Sequence, residues 1–600
     1  MTVNERIAAI RGLMADKNID VYYIPNEDDH LSEEYTADHF KCKSFVSGFS
    51  GESGCVVITQ DFCGLWTDGR YFTQAENELA GSDVELMRMG QEGVPAVMDF
   101  LIEKTPENGT LGFDGTVVST AKSFELLRRL KPKQAKLHVG DDLTGMIWTD
   151  RPAMPGQPVY ILEEQYTGAS AAERIAMVRE KMQEKGADVL IITRLEDPCW
   201  LFNLRGNDIE CTPVAYAFAM LDGEKVYYYI DPAQVDETVC AYLEENGVTV
   251  RGYDDLAEDL AGLHDRNIWV NPQSFNSRLY SCLAKDNRLI SEEGPIALFR
   301  AVKNETEIAN TKHAHLKDGA AIVRFIKYVK EHVNDGDMTE VSAQNELYRL
   351  RAAQPDYIEP SFPTISAYQA NGAMMHYTAT EENHAKVEPR GFLLVDSGGT
   401  YKDGTTDITR TIAVGPLTDE EKMLYTLVLK GHLNLISAKF LKGTTGQNLD
   451  ILARGPLWKI GIDYQCGTGH GVGHVMAVHE GPHSIRWGMG SPARPAYPLA
   501  AGMVVTDEPG VYMPHKLGIR IENELLVTEA EKNFYGQFLQ FENLTYAPYE
   551  PQAIDLKYLT DAEIAQLNSY HEEVVRRLTP YLNEEELAWL KKETGKLERI

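Results

Sequence analysis

Acidic side chains follow two apolar segments that lie close together in the sequence. Residues 392–395 (FLLV) are typical of a buried strand and lead into Asp396, and after the turn signal at 402–404 (KDG) the chain returns through Asp407. This order predicts an antiparallel hairpin in which the two aspartates face each other. Carboxylates placed in this way are candidate ligands for a hard divalent cation.

A third carboxylate lies on a strand further along the chain. In residues 518–524 (GIRIENE), strict alternation sends Ile519 and Ile521 to one face and Arg520 and Glu522 to the other. Glu522 is therefore predicted to point away from the core, beside an arginine.

Two more candidate ligands complete the set. Glu508 follows the apolar residues 504–507, and His470 lies in the glycine-rich segment 467–474 (GTGHGVGH). Each motif alone also fits a turn aspartate, a surface ion pair or a loop histidine. Together, four carboxylates and an imidazole suit two divalent ions such as Mn²⁺ or Co²⁺, because without a cation the carboxylates would repel one another.

The elements that must position these residues begin with two similar segments. Residues 14–24 and 182–192 share Met, Lys, Asp, Val and Ile at equal offsets, and each joins an amphipathic helix, predicted over 4–17 and 171–185, to an apolar strand. Coincidence remains the alternative, since five matched residues are few. The repeat predicts two related α/β domains, joined near the proline-rich residues 151–159.

The rest of the chain predicts an α+β catalytic domain followed by helices. Thr560 with Glu563, and Asn583 with Glu586, are typical of capping-box helix starts in the tail. The domain boundaries expected from these patterns are 1–160, 161–300, 301–550 and 551–600.

Composition limits the class of function. A length of 600 residues predicts three or four units, and the net charge of -32 disfavours a nucleic-acid partner. The charged N-terminus and the absence of an 18-residue apolar run predict no signal peptide and no membrane span. Eight dispersed cysteines without a CxxC pair favour a reducing compartment, so we expect a cytoplasmic protein.

Several longer motifs resemble the Xaa-Pro aminopeptidases (aminopeptidase P), members of the pita-bread metallopeptidases. The catalytic motifs are 395–411 (VDSGGTYKDGTTDITRT), 467–474, 478–482 (VHEGP), 506–510 (TDEPG) and 518–523. Upstream, the motifs at 45–51 (FVSGFSG), 65–75 (LWTDGRYFTQA) and 295–308 (PIALFRAVKNETEI) resemble the three-domain cytosolic form.

The resemblance implies a role for each of the five candidate metal ligands. Asp396 would bind one ion and His470 and Glu508 the other, while Asp407 and Glu522 would bridge both. The implied cofactor is a pair of divalent ions, Mn²⁺ first, with Co²⁺ or Zn²⁺ as alternatives. The implied fold is a pita-bread catalytic domain with a helical extension.

The resemblance also implies catalytic and substrate-binding residues. His376 and His479 would contact substrate and act in catalysis with Glu508, and Arg70 would bind substrate as the first domain closes over the cleft. Arg520 would hold a bridging carboxylate in place.

The implied reaction is hydrolysis of an N-terminal Xaa-Pro bond by a metal-bridging hydroxide. Alternatives are an Xaa-Pro dipeptidase (prolidase), which shares the ligand set, and a non-catalytic peptide-binding relative. The resemblance further implies a homodimer, with Trp458 at the interface; an ordinary core tryptophan is the alternative.

One position departs from the close relatives. Cys466 stands where they carry a histidine, four residues before the metal-binding histidine, and it either fills space or alters substrate affinity. His474 forms an HxxxH pattern with His470, but the glycines between them disfavour a helix. We therefore expect His474 to be a loop residue.

Overall fold

The computed structural model describes residues 1–32, 34–488 and 496–599. The chain divides into two compact units. The first comprises Met1–Glu163 and Ala169–Ile296, and the second comprises Glu164–Gly168 and Ala297–Ile600. Within the ranges that are described, no helix is both long enough and apolar enough to cross a bilayer.

The first half of the first unit is an α/β layer built on a mixed sheet. Its strands are β1 Val21–Ile24, β2 Cys55–Thr59, β3 Cys63–Thr67, β4 Glu85–Arg88, β5 Thr110–Phe113 and β6 Lys136–Val139. Its helices are α1 Val3–Lys17, α2 Cys42–Ser47, α3 Phe72–Glu78, α4 Val97–Lys104, α5 Thr120–Leu130 and α6 Leu143–Ile147. The strand order is β4-β3-β2-β1-β5-β6, with β1 antiparallel to β2 and parallel to β5.

The second half of the first unit repeats this arrangement. Its strands are β7 Tyr160–Ile161, β8 Val189–Ile192, β9 Leu204–Arg205, β10 Phe218–Asp222, β11 Val226–Tyr229, β12 Val248–Arg251, β13 Asn267–Val270 and β14 Arg288–Ser291. The sheet order is β12-β11-β10-β8-β13-β14, with β8 antiparallel to β10 and parallel to β13. The same order and the same directions occur in both sheets.

The first long helix of this second half begins in the same way as the first helix of the first half. They are α7 Glu164–Thr167, which belongs to the second unit, α8 Ala171–Lys185, α9 Glu196–Leu201, α10 Glu237–Glu245, α11 Asp255–Ala261 and α12 Ser277–Cys282. Both α1 and α8 start with a capping box, formed by Thr2 with Glu5 and by Ser170 with Glu173. The prediction of two related α/β copies is confirmed.

The second unit combines long helices with several antiparallel sheets. Its remaining helices are α13 Ile296–Ala301, which begins at the unit boundary, α14 Glu305–His332, α15 Glu340–Ala352, α16 Asp419–Ile436, α17 Gly446–Trp458, α18 Asp561–Leu578 and α19 Glu584–Glu593. Its strands are β15 Tyr357–Pro360, β16 Ile365–Tyr368, β17 Phe392–Ser397, β18 Gly399–Tyr401, β19 Gly404–Thr405, β20 Ile408–Ala413, β21 Lys439–Leu441, β22 Gly469–Gly471, β23 Glu480–Ile485, β24 Val504–Asp507, β25 Gly510–Met513, β26 Leu517–Arg520, β27 Asn523–Asn533 and β28 Gly536–Asn543.

These strands form two sheets that matter for the candidate ligands. One has the order β16-β17-β20, and the larger has the order β21-β28-β27-β24-β22-β23. An apolar cluster joins α16 to the first sheet and to β26 through Phe392, Leu424, Val428, Ile519 and Ile521. The membership of Ile519 and Ile521 in this apolar cluster agrees with the predicted alternation, which leaves Arg520 and Glu522 on the other face. That face is buried as well, because Arg520 is 3% and Glu522 is 1% exposed.

The C-terminal helices pack on α14 of the same unit. Val323 of α14 lies in one buried cluster with Val574, Leu578 and Leu590 of α18 and α19. Both tail helices start with the predicted capping boxes. The predicted α+β unit with a helical extension is therefore confirmed.

Candidate metal centre

The first two aspartates lie on neighbouring antiparallel strands. In the pairing of β17 with β20, Asp396 lies opposite Thr409, and Asp407 immediately precedes β20. The predicted antiparallel pairing of the two strands is confirmed, but the prediction that the two aspartates face each other across a simple hairpin is wrong. Asp396 lies opposite Thr409, and β18 and β19, which belong to a different sheet, intervene in the sequence. The two carboxylates therefore lie at the same end of this strand pair.

The two glutamates occupy the corresponding end of another strand pair. In the pairing of β24 with β27, Asp507 lies opposite Asn523, so Glu508 and Glu522 lie just beyond that end. The backbone N–H of Glu522 donates to the carbonyl oxygen of Thr409 at 3.1 Å. This hydrogen bond joins the two sheets where their carboxylates converge.

The imidazole of His470 comes from a third strand of the larger sheet. His470 lies on β22, which pairs with β24 through Gly471 and Val505. Its Nε2 atom is 3.4 Å from Oδ2 of Asp407 and 3.6 Å from Oε1 of Glu508. The structure thus brings this histidine together with two of the predicted carboxylate ligands.

The donor atoms fit a bound cation. One ligand atom each from Asp407, His470 and Glu522 lie within 4.8 Å of one another. Buried carboxylate oxygens in the same cluster, Oδ1 of Asp396 and Oδ1 of Asp407, have no hydrogen-bond partner in the described part of the chain. Because burying an anionic oxygen without a partner is costly, divalent cations would satisfy what the protein leaves unpaired.

The pKa values of the candidate ligands are shifted because several charged side chains are buried close together. Burial raises the pKa of Asp407 to about 6, and the nearby Asp396 and Glu508 carboxylates add to the effect. Burial and the charge of Asp407 raise the pKa of Glu522 well above its ordinary value. Burial alone would lower the pKa of His470, but the hydrogen bond to Asp407 and the charge of Glu508 raise it to about 9.

Two neutral or cationic side chains hold the carboxylates. Arg520 donates from Nη2 to Oδ2 of Asp396 at 2.5 Å and from Nε to Oγ1 of Thr409 at 3.1 Å. The Thr409 hydroxyl donates to Oε2 of Glu522 at 2.7 Å. Arg520 was expected to hold a bridging carboxylate; among the described residues it instead bonds Asp396, while Thr409 holds Glu522, because Thr409 lies between them on β20.

Comparison with known proteins covers nearly the whole chain. Residues 6–151 and 150–307 each match the Creatinase/Prolidase N-terminal domain, residues 309–529 match Metallopeptidase family M24, and residues 537–597 match the C-terminal region of that peptidase family. Aminopeptidase P1 of Arabidopsis thaliana is 38% identical over 99% of both chains. The chain belongs to the aminopeptidase P family.

Other members of the aminopeptidase P family are similar over the same extent. Xaa-Pro aminopeptidase 1 of Dictyostelium discoideum is 36% identical, covering 98% of this chain and 96% of its own. The X-prolyl aminopeptidase of Caenorhabditis elegans, described as a cytosolic enzyme with a di-nuclear active site, superposes with a TM-score of 0.94 at 34% identity over 100% of both chains. The second unit therefore has the pita-bread fold of this family.

His479 lies beside the candidate metal ligands of this aminopeptidase P family member. Its ring centroid is 4.1 Å from that of His470, with the two rings at 88°. The next residue, Glu480, starts β23 and forms buried ion pairs with Lys303 Nζ at 2.5 Å and Arg300 Nη1 at 2.7 Å. These ion pairs fix the backbone at His479.

His376, the second predicted substrate-contacting histidine, follows a segment that packs on β26. A Cβ atom added to Gly518 would lie only 1.7 Å from the Gly372 carbonyl oxygen, so only glycine allows this approach. His376 is half-buried just beyond the contact. Its role towards substrate stays a prediction.

Arg70 lies in the first unit, in the turn after β3. Its Nε and Nη2 atoms donate to the two carboxylate oxygens of Asp68, at 3.0 and 2.8 Å. This paired geometry holds the guanidinium in one orientation. The predicted role of Arg70 in substrate binding remains a prediction.

Cys466 and His474, the two positions near His470 that the sequence singled out, both form hydrogen bonds to neighbouring segments. Cys466 is half-buried, and its carbonyl oxygen accepts from Arg454 Nη2 at 3.1 Å. His474 is a buried loop residue, as predicted, and its ring nitrogens bond Thr311 Oγ1 at 3.2 Å and the Tyr166 carbonyl oxygen at 2.9 Å.

Sequence reasoning missed the polar groups behind the ligands. His432 of α16 lies 3.1 Å from Oδ2 of Asp507, the residue before Glu508, and its Nε2 atom is 2.9 Å from the Tyr549 hydroxyl. The alternation that places Glu508 towards the cluster turns Asp507 away from it, into the protein. The sequence did contain one signal for these groups: Asp507 is a charged residue next to a candidate ligand on a buried strand, so it needs a polar partner inside the protein.

Proposed function

We propose that this chain is a dinuclear metal-dependent aminopeptidase that hydrolyses the bond between an N-terminal residue and a following proline. The observation that carries the proposal is the convergence of Asp407, His470 and Glu522 donor atoms within 4.8 Å, beside unpartnered carboxylate oxygens. The names of its relatives, Xaa-Pro aminopeptidase and aminopeptidase P1, support the same substrate class.

We assign the metal ligands as the resemblance implies. Asp396 would hold one ion, His470 and Glu508 would hold the other, and Asp407 and Glu522 would be ligands of both. Four carboxylates and one imidazole are hard ligands, which favours Mn²⁺, with Co²⁺ or Zn²⁺ as alternatives. When bound, the ions supply Lewis acidity and lower the pKa of water from about 15.7 towards neutrality.

The protein's own residues move the protons. The side chain of Glu508 is 21% exposed, against 5% for that of Asp407, so Glu508 is the more accessible to substrate and water. We assign to Glu508 the acceptance of the proton from the attacking water and its transfer to the leaving prolyl nitrogen. His479, fixed by the Glu480 ion pairs, donates a hydrogen bond to the scissile carbonyl oxygen as charge develops there.

The site can accept proline in the second position because substrate binding does not require a hydrogen bond from the nitrogen of that residue. A prolyl nitrogen carries no N–H, so binding cannot rest on that donor. The free N-terminus is instead held by acidic groups of the centre. His376 acts with His479 on the substrate, and Arg70 also binds it.

Peptide hydrolysis and metal content test the proposal together. Metal-stripped protein is titrated with Mn²⁺, and release of the first residue from a longer peptide such as Arg-Pro-Pro is followed by chromatography. We expect activity to saturate at two ions per chain, and Asp407→Asn to reduce both ion content and turnover. Full turnover with one ion or none, or in Asp407→Asn, contradicts the assignment.

The same assay separates the alternatives. Cleavage of Xaa-Pro dipeptides alone favours a prolidase, and folded protein that binds peptide without cleaving it favours a binding protein. Coverage of 99% of the length of aminopeptidase P1, including the C-terminal region, favours the aminopeptidase.

We also propose a homodimer that works in the cytoplasm. Trp458, at the end of α17, is half-buried and lies 4.8 Å from Trp487 between ring centroids. Trp487 is 45% exposed, and Ile451 and Ile460 are exposed nearby in the sequence. None of the eight cysteines, all of which lie in described positions, forms a disulfide, which suits a reducing compartment.

A further inference from the structure

Arg410 is a buried guanidinium that links distant segments of the second unit. It lies on β20 with 3% of its surface exposed. Its acceptors are Thr409 O at 2.9 Å, Glu522 O at 2.6 Å, Asn523 Oδ1 at 2.8 Å, Ala547 O at 2.9 Å, Pro548 O at 3.1 Å and the Tyr570 hydroxyl at 3.0 Å. Within the described residues, none of these acceptors is a carboxylate, so the group does not form an ordinary ion pair.

The position of Arg410 relates it to both carboxylates that we assign as bridging. It donates to the backbone carbonyl of Glu522 and to that of Thr409, whose hydroxyl in turn donates to the Glu522 carboxylate. Asp407 lies three residues before Arg410, immediately before the same strand.

The C-terminal extension completes the surroundings of Arg410. The Tyr570 hydroxyl, on α18, accepts from Arg410 Nη2 and donates to the Ala547 carbonyl oxygen at 2.7 Å. The Tyr570 ring stacks on Tyr549 at 4.4 Å between centroids, and the guanidinium carbon of Arg410 lies 4.9 Å from the Tyr549 ring centroid. Hydrogen bonding from one side and an aromatic face on another leave Arg410 a single orientation.

We propose that Tyr570 and Arg410 are positioning residues through which the C-terminal helical extension sets the metal affinity of the centre. The inference rests on the proposed function, because it takes Asp407 and Glu522 as metal ligands. Residues that orient ligands from behind typically change metal affinity by about 10- to 100-fold when replaced. The extension thereby acts on the metal centre without contributing a ligand.

Tyr570→Phe is the decisive variant, because it removes one hydroxyl and keeps the stacked ring. Mn²⁺ affinity of the metal-stripped full-length chain is measured by calorimetry. We expect affinity about 10-fold weaker than in the wild type, with turnover recovering at saturating Mn²⁺. Arg410→Lys, which keeps the charge but loses the planar fork, should weaken affinity further, towards about 100-fold.

Tyr425→Phe is the matched control. Tyr425 is fully buried, whereas Tyr570 is half-buried, so the control removes a hydroxyl from the more enclosed position. The Tyr425 hydroxyl accepts from the Glu550 backbone N–H at 2.9 Å. We expect this control to bind Mn²⁺ within about two-fold of the wild type, since the ligand supports are untouched. Wild-type affinity in Tyr570→Phe, or an equal loss in Tyr425→Phe, overturns the inference.

The outcome is separable from that of the proposed function. If the wild type binds two Mn²⁺ ions but cleaves no Xaa-Pro peptide, the proposed function fails while the affinities of the variants still test Tyr570. If Tyr570→Phe alone binds Mn²⁺ normally and the wild type is active, only the positioning role is lost. Circular dichroism of each variant checks that a loss of affinity does not reflect unfolding, and if Arg410→Lys does not fold, Tyr570→Phe decides.

Discussion

At the scale of single residues, Glu480 shows how a buried charge supports a neighbouring functional side chain. Its two carboxylate oxygens are each paired with a different buried cation, Lys303 and Arg300. Burial would raise the pKa of Glu480, but these two cations hold it below its ordinary value. The carboxylate therefore stays ionised and keeps the backbone at His479 in place.

We predict that Glu480→Gln is strongly destabilising. The substitution leaves two buried cations facing a neutral amide, and breaking a buried ion pair in this way costs roughly 3–5 kcal/mol. Urea unfolding followed by fluorescence measures the loss. Turnover of an Xaa-Pro peptide should fall as well, because His479 is no longer fixed.

The control for this prediction is an exposed pair of the same residue types. Lys312 and Glu542 are 2.7 Å apart with both side chains more than one-third exposed. Glu542→Gln is expected to change the free energy of unfolding by about 1 kcal/mol or less. Similar losses in both variants would mean that burial is not the source of the effect.

At the scale of secondary-structure elements, the two α/β halves of the first unit meet through a buried polar group. Nδ1 of His30 lies 2.6 Å from the Thr193 carbonyl oxygen, which can only accept, so Nδ1 carries the proton. The neutral ring then accepts at Nε2 from the Tyr253 hydroxyl at 2.8 Å. Oδ2 of Asp29 is 2.5 Å from the same hydroxyl oxygen. With the hydroxyl proton directed to a neutral ring, this contact is a hydrogen bond only when the Asp29 carboxyl is protonated and donates.

This arrangement requires Asp29 to be protonated in the folded protein. Burial raises the pKa of Asp29 to about 7, and burial lowers the pKa of His30 to about 3, which agrees with a neutral ring. The native state keeps the Asp29 proton, which the unfolded chain loses near pH 4. The contribution of Asp29 to the free energy of unfolding is therefore fully present below that pH. It is lost as the pH rises through about 7.

We predict that Asp29→Asn stabilises the protein at pH 8 and has little effect at pH 4. The amide donates to Tyr253 as the protonated acid does, but it cannot ionise. The difference between the two pH values should be on the order of 4 kcal/mol, from about 1.4 kcal/mol per pKa unit. Urea midpoints at several pH values measure it.

Asp286→Asn provides a control of opposite sign. Asp286 is exposed, and its hydrogen bond to His264 lowers its pKa, so its replacement should not stabilise the protein at pH 8. A pH-independent effect of Asp29→Asn would contradict the proton assignment.

The elements themselves were largely predictable, and the exceptions have physical causes. The helices starting near residues 4 and 171 and the antiparallel pairing of the Asp396 and Asp407 strands follow from local periodicity and turn signals. The apolar composition of residues 214–221 predicts a strand over that whole range, but β10 begins only at Phe218. Asp208 accepts the backbone N–H of Tyr216 at 2.8 Å and holds the preceding residues outside the sheet. Such a side-chain contact leaves no periodic signal in the sequence.

The candidate site was predictable only in part, for a similar reason. Ligand types at strand ends were visible in the sequence, whereas the partners of Arg520 and the contacts of Arg410 depend on tertiary structure. Thr409, which holds Glu522, appears in the sequence as one ordinary residue of an alternating strand. The roles of the ligands themselves stay predictions until metal is measured.

At the scale of the whole molecule, charge opposes the proposed homodimer. Each chain carries a formal charge of -32, so association brings two strongly anionic molecules together. Only a local apolar contact can outweigh this repulsion, and salt should assist by screening it over about 10 Å at 0.1 M. The exposed Trp487 next to Trp458 is the apolar surface that we assign to this contact.

We predict that Trp458→Glu converts the dimer to a monomer. A carboxylate there loses the aromatic contact and adds charge to an already repelling interface. Size-exclusion chromatography with light scattering should give a mass near twice 67.2 kDa for the wild type, and near 67.2 kDa for the variant.

Phe534→Glu is the control, because Phe534 is an aromatic residue that is 96% exposed at the β27–β28 turn. The wild-type dimer should tighten as salt increases from low ionic strength; an unchanged dimer mass in Trp458→Glu, or equal dissociation in Phe534→Glu, removes Trp458 from the interface.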